Sequence, residues 1–202
     1  MKSSDAIASF DPVKVGKYET ENWVAYYQKD WLRLLRVSVG MVKESFKLSL
    51  PQAIFGAYLV GRAEIAAAPA DNNIPKAEAY MRRFYSIVKK THSGKYDVEK
   101  AAGLEVHWWV VHRELFGKTE NEPLIEAMQD LYAEVFQVDR GRVREAAERR
   151  AEAMIYSDRW VNEGRKSGSP LIGQVEAALI DSYAALKEAI QSPAVPQPVP
   201  AS

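Results

Sequence analysis

The sequence predicts an all-α fold: a compact bundle of about seven mostly antiparallel helices in a single domain. Three observations carry this expectation. Apolar residues recur at spacings of three and four along most of the chain, the period of a helix face. Helix start and stop signals punctuate those stretches. No alternating β-branched run stands between hairpin turns, so no strand is expected. With 202 residues, 47% of them hydrophobic, the chain has ample material for one core.

Residues 1–18 mix small, polar, proline and glycine residues and read as an N-terminal arm. The first helix is expected from about Glu21 to Phe46, capped by Thr20, with Val24, Tyr27, Trp31, Leu35, Val42 and Phe46 on one stripe. The second opens at Ser49-Leu50-Pro51-Gln52, where Ser49 and Gln52 have capping-box spacing and Pro51 suits the first turn. Its stripe is read as Ile54, Tyr58, Gly61 and Ile65, beside a small-residue strip of Ala53, Ala57 and Gly61. Asp71-Asn72-Asn73-Ile74-Pro75 breaks and restarts the chain. The third helix carries Ala77, Tyr80, Phe84, Val88 and Thr91, and Ser93-Gly94 ends it.

Asp97 caps the fourth helix, with Ala101, Leu104, Trp108, Val111 and Leu115 as its stripe. Asn121-Glu122-Pro123 starts the fifth, through Leu124, Met128, Leu131 and Val135. Asp139 starts a long sixth, reaching about Gly164, and Ser169-Pro170 opens the seventh. Short connections predict antiparallel neighbours. From Ser192 to Ser202 the chain holds four prolines in eleven residues, which predicts an extended, disordered tail. The helical domain is therefore expected over 19–191.

Composition excludes several chemistries. There are 27 basic and 27 acidic residues, so nothing pulls the chain as a whole toward nucleic acid or an anionic membrane. The absence of cysteine removes disulfides, thiolate nucleophiles and Cys-ligated metals. No apolar run approaches the ~18–20 residues of a membrane span, and Met1-Lys2-Ser3-Ser4-Asp5 lacks the apolar core of a secretory signal. A soluble cytoplasmic protein is expected. Hydrolase and phosphate-loop motifs are absent as well.

Helical phase singles out the polar residues that lean inward. At about 100° per residue, Glu105 and His112 fall within ~60° of Trp108, and Arg150 and Asp158 within ~40° of Met154. Arg62 falls within ~40° of Tyr58, whereas Glu64 is expected to point outward. Glu145, Glu148 and Glu152 face away from Met154 and read as a solvated face. The inward set is thus Arg62, Glu105, His112, Arg150 and Asp158, with Tyr27, Tyr58 and Tyr80 as possible hydroxyl partners. Buried charges must meet one another or a ligand, because an unpaired one costs several kcal/mol.

Glu105 and His112 stand two turns apart on one helix face, with six residues between them. That spacing resembles the first ligand pair of the haem-oxygenase-like di-iron oxidases. The resemblance covers two residues of one helix and implies iron as a cofactor, with Glu105 and His112 as metal ligands. The later helix departs from the pattern, offering Arg150 and Asp158 where histidine and carboxylate ligands belong. Ferritin-like bundles need Glu-x-x-His segments, and the chain has none.

Two classes of function follow. The first is a non-enzymatic helical protein that binds a protein partner or self-associates, its inward charges serving structure. The second is a small-molecule or metal-binding bundle, with an oxidase-type enzyme among its forms. In it Glu105, His112 and Asp158 act as ligands or acid/base groups, and Arg62 and Arg150, with Tyr58 and Tyr80, hold a small anionic ligand.

Overall fold

A computed structural model describes residues 9–118 and 121–192, and among them it is all helical. The eight α-helices are α1 Pro12–Gln28, α2 Trp31–Phe46, α3 Leu50–Ala67, α4 Ile74–His92, α5 Val98–Leu115, α6 Glu122–Phe136, α7 Arg144–Asn162 and α8 Pro170–Gln191. A short 3-10 turn, Arg140–Val143, leads into α7. The prolines of the C-terminal tail and the first residues of the arm lie outside the described residues.

Two expectations about the N-terminal region are corrected. Helix begins at Pro12, inside the stretch read as an arm, because Asp11 caps it by accepting the N–H groups of Val13 and Lys14. The helix expected from Glu21 to Phe46 is two helices. Lys29 turns left-handed at φ 61°, and Asp30 caps the restart by accepting the Arg33 N–H at 3.2 Å. The break shifts the helical phase. Trp31 and Leu35, placed on the core stripe when the segment is read as one rod, are 59% and 62% exposed.

The small-residue strip decides the phase of α3. Ala53, Ala57, Ala63, Ala66 and Ala67 are buried, while Ile54, Tyr58 and Ile65 stand outside. Small side chains let α3 lie close against α4, its principal neighbour. The larger apolar residues are thereby turned outward, opposite to the stripe expected for this helix.

Each helix packs on the next in sequence, and α1 closes on α8, so the eight helices form a complete ring of neighbours. At the closure Gly16 meets α8, where a Cβ would stand 2.7 Å from Ile180 Cγ1 and 2.9 Å from the Ile180 amide nitrogen. Only glycine fits so near a backbone. The interior holds two large apolar clusters. One centres on Leu59, Met81, Phe84 and Val106, the other on Val15, Met128, Met154 and Leu186. Trp108 and Phe136 pack against both, which marks the seam between them. Among the described residues no helix is long and apolar enough to cross a membrane.

Candidate functional site

The polar centre of the molecule lies on that seam. Arg150 projects inward from α7, as its helical phase predicts. Its Nη2 donates to Glu19 Oε1 of α1 at 2.5 Å, and its Nη1 donates to the hydroxyls of Tyr183 at 3.0 Å and Tyr132 at 3.3 Å. Tyr183 in turn donates to Glu19 Oε2. The guanidinium also lies 5.2 Å from the centroid of the Trp108 ring. Burial opposes the Arg150 charge most strongly, but Glu19, with Tyr132 and Tyr183, holds its pKa well above the ordinary value.

Glu105 forms the second half of the centre. Its Oε2 accepts from Tyr85 at 2.5 Å and its Oε1 from Trp108 Nε1 at 3.0 Å. Burial raises the Glu105 pKa, against the Tyr85 hydrogen bond, the Arg150 charge and the indole N–H. Burial and the neighbouring Glu105 carboxylate push the Tyr85 hydroxyl well above its ordinary value. A third carboxylate stands nearby. Glu64 is exposed, as expected, yet burial followed by the carboxylates of Glu105 and Glu19 pushes its pKa up to about 7.

Between these groups lies a cavity of about 130 Å³. Glu19, Tyr85, Glu105, Tyr132, Arg150 and Tyr183 border it, and the rest of its wall is mostly apolar, with Met41, Val60, Phe84 and Met128 among the contributors. All eight helices reach the chamber, and α3, through Val60, is the one that brings no polar group to it. Two carboxylates, Glu19 and Glu105, thus border the chamber together with one guanidinium.

The other expected site residues lie elsewhere. His112 pairs with Asp158, its Nε2 3.4 Å from Asp158 Oδ1, while Glu105 is bound by Tyr85 and Trp108. Asp158 is buried, and its Oδ2 accepts the Gly117 N–H at 3.1 Å. The Nε2 and Oδ1 atoms themselves make no hydrogen bond among the described residues. Tyr27 stands near this pair; burial first and Asp158 second push its hydroxyl pKa up to about 12.

Arg62 is a correction. Its expected direction was measured from Tyr58, which is itself on the outer face of α3. The guanidinium lies over the rings of Tyr80, at 5.3 Å, and Tyr58, at 5.9 Å, and donates to the Tyr58 hydroxyl at 3.3 Å. Arg62 and Arg150 therefore do not converge, and the paired clamp for an anion is not formed. The di-iron pattern does not fit either. Glu105 is engaged by Tyr85 and Trp108, His112 belongs to a separate pair, and among the described residues no group of three His, Asp or Glu is placed to hold a metal ion.

Glu19 is the residue that sequence reasoning missed. Asp11-Pro12 carries the same cap-and-proline signal as Ser169-Pro170, and Val15, Gly16, Glu19 and Thr20 repeat at helical spacing. Tyr132 and Tyr183 were also legible, each standing four residues beyond an apolar stripe residue, Met128 or Leu179. No known protein family, curated protein or solved structure matches this chain.

Proposed function

We propose that the protein is a small-molecule-binding helical bundle whose ligand occupies the chamber at the Glu19–Arg150 centre. The observation that carries this reading is the cavity of about 130 Å³, bordered by charged and hydroxyl side chains where a packed core would otherwise stand. Interiors are close-packed, and voids much larger than a water molecule are few. An apolar wall with a few convergent polar groups is the usual constitution of a ligand site. The test is a thermal-shift screen of compounds the size of one aromatic ring, run in parallel on Met128→Trp, which fills the chamber. Compounds that raise the Tm of the natural chain and leave the filled variant unchanged support the reading. A screen without any such compound rejects it.

A second reading, self-association, is favoured by the outer face of α2 and α3. Leu32 there is 85% exposed and Ile65 62%, with Trp31, Leu35 and Ile54 alongside. An apolar patch of this kind marks an interaction surface, and the partner assigned to it is a second copy of the chain. Sedimentation of the natural chain beside Leu32→Glu tests it: a dimer lost in the variant supports the reading, and a monomer at high concentration rejects it.

A further inference from the structure

Size and charge together narrow what the chamber accepts, and this step rests on the small-molecule reading above. We infer that its ligand is a small primary amine, an ammonium group on an apolar body of about one ring, held with its charge toward Glu105.

The body follows from the wall. Met41, Val60, Phe84 and Met128 offer no hydrogen bonds, and a cavity near 130 Å³ has room for about one six-membered ring. The head group follows from the charges that face the site from every surrounding helix. Glu19 of α1 is spent on Arg150 of α7, with both of its oxygens occupied. Tyr85, Tyr132 and Tyr183, from α4, α6 and α8, are neutral: Tyr85 donates to Glu105, Tyr183 donates to Glu19, and the hydroxyls of Tyr132 and Tyr183 accept from Arg150. Glu105 of α5 receives one hydrogen bond on each oxygen, both from neutral groups, so two lone-pair positions stay open. Val60 of α3 borders the chamber, while Glu64, one turn further along, is exposed and outside its lining.

Arg150 is the one cation bordering the chamber, and although its charge reaches Glu105 its hydrogen bonds go to Glu19, Tyr132 and Tyr183. Two species satisfy the open positions of Glu105, a proton or a cationic guest. An ammonium supplies three N–H donors and a full charge in a low-dielectric setting, where charge-assisted hydrogen bonds are strongest. An anionic guest would face the carboxylates of Glu19 and Glu105. The aromatic rings of Phe84 and Trp108 at the chamber also favour a cation over an anion.

The experiment compares benzylamine, benzyl alcohol and benzoate by calorimetry on the natural chain and Glu105→Gln. Benzylamine is expected to bind about tenfold more tightly than benzyl alcohol, with no detectable benzoate binding. The amine preference should grow from pH 6 to pH 8 as proton competition falls, and should shrink in Glu105→Gln while benzyl alcohol still binds. Equal affinity for amine and alcohol, or a preference untouched by Glu105→Gln, overturns the charge assignment but leaves the small-molecule reading standing. Failure of all three compounds to bind removes both. Should Glu105→Gln not fold, the pH series on the natural chain decides the matter.

Discussion

The guanidinium of Arg150 meets the carboxylate of Glu19 at 2.5 Å, joining α7 to α1 across 131 residues of sequence. Both side chains are largely buried, with 14% and 4% of their surface exposed. Removing one partner strands the other's charge in the interior. Glu19→Ala is expected to lower stability by about 3–5 kcal/mol, and Arg150→Met by a similar amount. The double substitution, Glu19→Ala with Arg150→Met, should cost much less than the two losses added together. Urea denaturation of the four chains checks this, and additivity would show that the pair is not coupled.

Stability should fall as pH rises from about 5 to 8. Glu64 is held at about 7, above the ordinary 4.5, and Glu105 is shifted in the same direction. An acid whose folded pKa is raised supports the fold fully below its unfolded pKa, and that support is lost as pH climbs through the folded value. The urea midpoint measured at pH 5, 6, 7 and 8 should therefore decline across this window. Glu64→Gln should flatten the slope.

Gly16→Ala should destabilise the molecule by about 1–3 kcal/mol through overpacking. The added methyl would meet the Ile180 amide nitrogen at 2.9 Å, and a backbone atom cannot swing aside as a side-chain tip can. Thermal unfolding beside Gly173→Ala, whose added methyl meets nothing within 4 Å, separates crowding from the general effect of losing a glycine.

Lys29→Gly is expected to raise stability by up to about 1 kcal/mol, because position 29 sits at φ 61°. An uninterrupted helix through this point would instead be weakened by glycine. The sign of the change in urea midpoint thus reads out the break directly.

The helical class, the helix ends from Ser49 onward and the inward direction of Arg150 and Asp158 were all legible in the sequence. Those segments carry strong caps and stripes whose large and small apolar residues agree in direction. α3 was misread because its bulky apolar residues and its alanines lie on different faces, and close helix approach selected the alanines. That error carried Arg62 and Tyr58 to the wrong side. Glu19 was hidden by a short cap signal at Asp11-Pro12 in a stretch of otherwise mixed composition. The partnership of His112 with Asp158 rather than Glu105 depends on how α5 lies against α7, which periodicity within one helix does not specify.

Tyr183 of α8 donates to Glu19, and Glu19 answers Arg150, so the centre draws on both extremities of the chain. Synthesis delivers α8 after the other seven helices. Until then Arg150 has been synthesised without its full set of companions, and the ring of helices has no final member to close it. Productive folding is consequently a late, whole-chain event governed by contacts of long sequence separation. Chains truncated before Tyr183 should accumulate as open, protease-sensitive intermediates instead of partially native domains.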